Sequence, residues 1–361
     1  MEFSFNIPTS IFFGRGEIQR NASALVLGSR AYIVTGKSSG RVSGALSDVE
    51  RVLNTHSIPY EVFEGVGNNP EVEQCKELGA KARAFGADFI VGIGGGSPLD
   101  AAKAVAVFAA NDVEPEVLFA NKYEHILPIA AVATTSGTGS EATPWSVLTW
   151  HKIKTKMSFG ALNSFPRIAF LDPSYTDSLP LNVTRDTAFD AFTHCFESVI
   201  SMKASPMTDA VNFYALSRFG KLMEPLEKGE LDGIRDELML ISLLGGIGIA
   251  NTGTTLMHAM GYPLTYFKNV PHGRANAFVL PAYLAELKNN RPQRLNEALH
   301  ALGVSYEALV AYVKRCYPFD VQAQKDELTL WAEQTVAKNP HKTTGTSNDA
   351  AHIWSLYEML F

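Results

Sequence analysis

Between Asp88 and Lys103 the chain runs through a short apolar stretch, Phe89-Ile90-Val91-Gly92-Ile93, into the three glycines Gly94, Gly95 and Gly96, then Ser97-Pro98 and an alanine-rich segment. An apolar run of this length with β-branched residues reads as a buried strand, and proline ahead of alanines marks the first turn of a helix. Strand, glycine loop and helix in that order are the repeating unit of a parallel α/β sheet, so this stretch constrains the fold more than any other. Glycine lets the backbone approach a diphosphate, and the N–H groups and dipole of a helix start favour its negative charge. The spacing is not the G-x-G-x-x-G of a dinucleotide fingerprint, and a glycine turn that serves packing alone is still open at this point.

The rest of the first half repeats the pattern. Ser29 to Thr35 predicts a buried strand ending in Gly36-Lys37-Ser38-Ser39-Gly40, and further strands are expected over Tyr60–Phe63, Ile126–Ala133, Trp145–Thr149 and Ile168–Leu171. Helices are expected over Glu17–Leu27, Ser43–Asn54 and, after a turn through Asn69-Pro70, Glu71–Phe85. The strand ending at Ala133 enters Thr134-Thr135-Ser136-Gly137-Thr138-Gly139-Ser140-Glu141, a loop whose hydroxyls suit ribose and phosphate oxygens. Lys154 and Lys156 fall in a hairpin or loop. Near Leu179-Pro180 the period changes. Helical spacing then dominates: Ala188–Met202, Met207–Phe219, Asp232–Asn251, Thr255–Met260, Phe278–Lys288, Pro292–His300, Tyr306–Arg315, Lys325–Lys338 and a last helix reaching Met359. The expectation is an α/β domain over residues 1–180 and an all-helical domain over residues 181–361.

The first predicted helix of the second half holds Asp190 and His194 four residues apart, so both project from one face while Phe189, Phe192, Phe196, Val199 and Ile200 bury another. Those are two ligand types a divalent metal accepts, and His258 and His272 downstream would complete an Asp/His/His/His set. A pair with this spacing arises often by chance, and by itself is more commonly solvated or hydrogen-bonded. The formal net charge of −6, with no large basic cluster, argues against a nucleic-acid partner. Cys75, Cys195 and Cys316 are too scattered for a disulfide framework. The opening residues lack a signal-peptide pattern, and the longest apolar run, Leu240 to Ala250, is about half a membrane span, so a soluble cytoplasmic protein is expected with no membrane partner.

Taken jointly and in order, Gly94-Gly95-Gly96-Ser97-x-x-Asp100-x-x-Lys103, Thr134-Thr135-x-Gly137-Thr138-Gly139-Ser140-Glu141, Asp190-x-x-x-His194, His258 and Pro271-His272-Gly273 resemble the iron-containing (group III, metal-dependent) alcohol dehydrogenases. The likeness is strongest to the bacterial 1,3-propanediol, butanol and lactaldehyde dehydrogenases of that family, and it covers nearly the whole chain. It implies a dehydroquinate synthase-like fold, with an α/β nucleotide-binding domain and a helical metal-binding domain. It further implies Asp190, His194, His258 and His272 as metal ligands for Fe(II), with Zn(II) also suited. Hydride would pass between a nicotinamide and a small alcohol or aldehyde while the metal stabilises charge on the substrate oxygen. Gly94, Gly95, Gly96 and Ser97 match the diphosphate loop. Asp100, Thr134, Thr135, Thr138, Ser140 and Lys156, with Asn69, fall among the expected cofactor residues.

Two positions depart from the family pattern. Where many relatives carry a second histidine beside the nicotinamide, this chain has Tyr262, expected to shape the pocket, join a proton relay or simply pack. Where NAD-preferring relatives place an aspartate after the first strand, this chain has Gly36, followed by Lys37, Ser38, Ser39 and Arg41. Loss of the acid removes repulsion of a 2′-phosphate, which favours NADP(H) over NAD(H). The expected protein is thus an NADP-preferring alcohol dehydrogenase or aldehyde reductase, and the resemblance implies a homodimer formed through the N-terminal region, where Met1 to Phe13 offers an edge strand. An NAD-dependent glycerol- or lactaldehyde-type dehydrogenase and a noncatalytic nucleotide-binding protein are the alternatives.

Overall fold

A computed structural model describes residues 2–318 and 321–361. The chain forms two units, one spanning Ile7–Leu179 and the other Pro180–Phe361 together with the residues up to Asn6. Asn6 joins the second unit through Asn251, whose Oδ1 accepts from the Asn6 backbone N–H at 2.7 Å.

The first unit is built on a six-stranded parallel sheet of β1 (Ser10–Phe13), β2 (Ala31–Gly36), β3 (Tyr60–Val66), β4 (Phe89–Gly94), β5 (Ile129–Ala133) and β8 (Ile168–Leu171). A separate antiparallel hairpin pairs β6 (Ser146–Trp150) with β7 (Thr155–Phe159). The strand order is β1-β8-β5-β4-β2-β3. Both faces of the sheet are covered, and alternation along β2 shows it: Tyr32 and Val34 join one core, Ala31 and Ile33 the other. The chain leaves β2 toward β3 on one side and returns to β4 on the other. The loops after β2 and β4 therefore diverge at a topological switch point, where α/β sheets take ligands.

Glycine sets how closely the next helix, Gly96–Ala110, lies on β4. A Cβ at Gly92 would stand 2.7 Å from Ala102 Cβ, and Gly94 holds φ +149° with Pro98 Cγ 2.6 Å from where a Cβ would be. The expected helix over Glu17–Leu27 is in fact two turns, Glu17–Arg20 and Ala22–Leu25. Asn21 leaves the helical region at φ −120°, and beside its backbone bond to Glu17 O its side-chain amide donates to Glu17 Oε2 at 2.6 Å. Within the stretch to Phe13, β1 is the strand present and lies at a sheet edge; Met1 is outside the described residues.

The second unit is helical, organised on the helix Leu181–Ile200, whose Phe189, Phe192, Phe196, Val199 and Ile200 are fully buried. Four helices outrun their expected spans: Leu181–Ile200 starts ahead of Ala188, Pro206–Lys228 runs past Phe219 through Pro225, Leu256–Phe267 continues through Pro263, and the helix expected from Phe278 starts at His272 and passes Pro281 to reach Asn290. Packing of largely buried helices outweighs the local cost of proline. Among the described residues no single helix is long and apolar enough to cross a membrane; the apolar pair Arg235–Thr252 and Leu256–Phe267 is bent by 108°.

Candidate metal centre and nucleotide loops

The metal centre grows from the helix Leu181–Ile200, where four-residue spacing puts Asp190 and His194 on one face. Helix Arg235–Thr252 passes close by because Gly245 is bare: a Cβ there would stand 3.0 Å from His194 Cβ and 3.1 Å from Ala191 O. A closer approach brings in His272. A Cβ at Gly273 would lie 1.8 Å from Asp186 O, so only glycine allows the start of His272–Asn290 to meet the Asp186–Asp190 backbone. His258 comes from the first turn of Leu256–Phe267.

Donor atoms of Asp190, His194 and His258 lie within 4.8 Å of one another, the one such group among the described residues. His258 Nε2 is 3.1 Å from His194 Nε2 and 3.6 Å from Asp190 Oδ1, while His194 Nε2 is 3.9 Å from the same oxygen. Ligands of a divalent ion at about 2.0–2.2 Å stand roughly 3–3.5 Å apart, so the observed separations fit one ion after small adjustment. All three side chains are buried. His272 Nε2 is 3.7 Å from Asp190 Oδ1, but its side chain is 26% exposed and it stands outside the three-residue group, on the open side. Tyr262 stacks on His272 with ring centroids 5.8 Å apart and planes 11° from parallel, and the Lys338 ammonium lies 5.9 Å from the Tyr262 ring centroid.

Two residues at this site escaped the sequence reading. Glu197, wholly buried, accepts from the backbone N–H of Thr255 at 3.0 Å and of His258 at 3.3 Å, and from Thr255 Oγ1 at 2.5 Å. It thereby caps the helix that carries His258, while its other oxygen meets His258 Nδ1. Asn276 donates from Nδ2 to Asp190 Oδ1 at 3.2 Å. The signal was present as helical spacing: Glu197 follows His194 by three residues, and Asn276 follows His272 by four.

Electrostatics follow from this crowding. Burial opposes ionisation of Asp190, yet His194, His272 and His258 around it hold the carboxyl well below its ordinary range. Burial works against a charged His258, but Glu197 and Asp190 prevail and raise it to about 9. Without metal the ring is therefore an imidazolium near neutral pH, its Nδ1–H held against Glu197, and metal uptake must expel the proton on Nε2.

In the α/β unit the expected cofactor residues form two facing loops. A Cβ at Gly95 would stand 2.8 Å from Thr135 Oγ1, and one at Gly96 would stand 2.5 Å from Thr138 Cγ2. These glycines are thus needed for loop-to-loop packing, whatever else their N–H groups bind. Thr134 donates its backbone N–H to Gly94 O at 2.9 Å, and its buried hydroxyl finds no hydrogen-bond partner among the described residues. Ser97 lies in the first turn of the helix. Asp100 instead faces inward, accepting from Ser140 Oγ at 2.6 Å and Val147 N–H at 2.9 Å. Lys103, fully buried, donates to Ser140 O, Ser140 Oγ and Trp145 O, each at 2.7 Å. Lys156 is buried on β7, paired in register with Thr149, which in turn reaches Asn69 O at 3.2 Å; Asn69 itself takes φ +59°. Gly36 ends β2, with Lys37 and Ser38 before the short helix Ser39–Val42, whose Arg41 is gripped by Glu64 and Glu50.

An Asp/His/His centre with its histidine braced by a buried carboxylate defines a metal-binding protein. Residues 8–173 match the model of the iron-containing alcohol dehydrogenases, and residues 184–359 match that of the C-terminal part of the Fe-containing alcohol dehydrogenase family. The chain belongs to the iron-containing alcohol dehydrogenase family. At family level it is a metal-dependent oxidoreductase of short alcohols and aldehydes. It is 33% identical to a sulfoacetaldehyde reductase of Bilophila wadsworthia over 78% of this chain and 74% of that one. It is 30% identical to an NADPH-dependent butanol dehydrogenase of Clostridium saccharobutylicum over 77% and 72% of the two chains. The crystal structure of an iron-containing alcohol dehydrogenase from Thermotoga maritima superposes with TM-score 0.92 at 35% identity, covering 99% of each chain.

Proposed function

We propose that this chain transfers hydride between NADP(H) and a short primary alcohol or diol, or the matching aldehyde. Residues 1–180 serve as the dinucleotide-binding domain and 181–361 as the metal-binding domain, in a dehydroquinate synthase-like arrangement and as a homodimer. The observation that carries the reading is the convergence of Asp190, His194 and His258 donors within 4.8 Å. A divalent ion in that set, Fe(II) or Zn(II), supplies a Lewis acid for the substrate oxygen. Glu197 holds the Nδ1 proton of His258, so the proton given up to a metal is the one on Nε2, which would then face Asp190 and His194 as a lone-pair donor. Asp190 contributes the single negative charge of the set, and Asn276 fixes its carboxylate in orientation. His272 is the fourth donor, on the exposed side where substrate enters. Tyr262, stacked on that ring, shapes the pocket or passes a proton through its hydroxyl; unchanged turnover and pH profile in Tyr262→Phe would eliminate the relay.

Support for NADP(H) comes from Gly36 in place of an acid, from Lys37, Ser38 and Ser39 beside it, and from the name of the butanol dehydrogenase relative; Arg41 is already paired with Glu64 and Glu50. The test is anaerobic turnover of metal-stripped protein, restored separately with Fe(II) and Zn(II). NADPH and NADH are compared over short aldehydes, including one bearing a sulfonate. Activity that returns with metal and favours NADPH is the expected result. No turnover with any metal or aldehyde, despite cofactor binding and an intact fold, would point to a noncatalytic nucleotide-binding protein.

A further inference from the structure

Arg41 is the guanidinium nearest in sequence to Gly36, and it is not idle. Its Nε and Nη2 donate to the two oxygens of Glu64 at 3.0 and 2.7 Å, and its Nη1 donates to Glu50 Oε2 at 3.1 Å. Glu64 lies on β3 opposite Thr35, one residue before Gly36 in the register of β2 and β3. Glu50 comes from the helix Ala45–Thr55 that follows the same loop. The place is the switch point described above: a Cβ on Gly36 would stand 3.6 Å from Pro98 Cγ, so the loop touches the start of the glycine-loop helix. A dinucleotide with its diphosphate on that helix start brings its adenosine ribose toward Gly36.

At this point one cation faces two carboxylates. The bidentate face of the guanidinium, which a 2′-phosphate would use, is taken by Glu64. The cluster is half open to solvent on the arginine side, with the Arg41 side chain 48% exposed against 31% for Glu64 and 21% for Glu50. A phosphate reaching Arg41 thus meets an excess of negative charge and must displace a carboxylate already in place.

We infer that Glu64, seconded by Glu50, is a specificity-determining residue of the cofactor site, restraining 2′-phosphate binding by occupying Arg41. The inference rests on the reading of this loop as the adenosine ribose site. The acids set the degree of preference, while Gly36, Lys37 and the two serines set its direction.

The experiment is titration of the as-isolated protein with NADPH and NADH, following nucleotide fluorescence, so that metal content and turnover do not enter. Glu64→Gln is expected to tighten NADPH about fivefold and leave NADH within about twofold, since only one ligand carries the extra phosphate. Arg41→Gln in that background should abolish the gain, and added salt should shrink it. Glu50→Gln, which leaves the sheet residue intact, should act in the same direction and more weakly. NADPH binding that is unchanged or weakened in both Glu64→Gln and Glu50→Gln would overturn the inference, because the acids would then only be holding Arg41 in place. The comparison holds whichever dinucleotide the wild type favours. A wild type that prefers NADH defeats the NADP(H) reading, yet a shift of the ratio toward NADPH in Glu64→Gln still supports the role of the acids.

Discussion

Each unit buries a cluster of charge, and the two are put to opposite uses. In the α/β unit, the Lys103 ammonium is spent on three oxygens at 2.7 Å, and Asp100 on Ser140 Oγ and the Val147 N–H. Protons stand between the heavy atoms, and the cluster ties the loop after β5 and the start of β6 to the helix after β4. In the helical unit, Asp190, His194 and His258 turn ligand atoms toward a common point, and Glu197 holds the Nδ1 proton of His258 on the far side of the ring. Buried charge alone therefore does not mark a site. Convergent ligand atoms, one of them on a ring braced by a carboxylate from behind, do.

The sharpest way to break this contrast is to remove a converging donor. Asp190→Asn should empty the centre of metal and lower turnover by about a thousandfold or more, the order expected when a metal that carries the chemistry is lost. Metal analysis and steady-state kinetics on folded protein check it; retained metal and activity would show that the group is merely a buried hydrogen-bonded cluster. Lys103→Met tests the other side. It leaves the partly buried Asp100 and the buried Glu141 without their cation and should cost about 3 kcal/mol in denaturant unfolding, with metal content of the folded protein unchanged. A variant as stable as wild type would mean that the lysine does not hold the loops.

Glu197→Gln sharpens the comparison within the metal centre. Metal affinity should fall between roughly ten- and hundredfold, measured by competition with a chelator, because the brace on His258 is weakened while every ligand stays. Glu141→Gln should change only the pH dependence of stability. Burial raises the Glu141 carboxyl from 4.5 to about 7, so the folded state holds a proton there that the unfolded state releases. Its contribution is complete below pH 4.5 and disappears as pH rises through about 7. Wild-type stability should decline across that window by at most about 3 kcal/mol relative to Glu141→Gln, and parallel pH profiles of melting temperature would disprove the assignment.

What was readable in advance divides along the same line. The parallel-sheet strands, the glycine loops and the Asp190/His194 pair were legible because strand length, turn chemistry and four-residue helical spacing are local properties. Helix ends were less so: Asn21 splits one helix, and the helix bearing His272 begins six residues ahead of its apolar period. Its first turn, His272-Gly273-Arg274, carries no hydrophobic signal, and its position is set by contact with another helix.

The sequence by itself determined the residue types and their local faces: an acid and an imidazole on one helix, glycines before a helix start, no acid at Gly36. Tertiary structure decided which of them meet. It put His258 inside the three-residue group and His272 at its exposed edge, gave Glu197 a double role as cap and brace, consumed Lys103 internally and set Glu64 against Arg41. Those pairings depend on distances between elements far apart in the chain. Such distances are fixed where backbones close to contact, as at Gly245 and Gly273, and no local period records them.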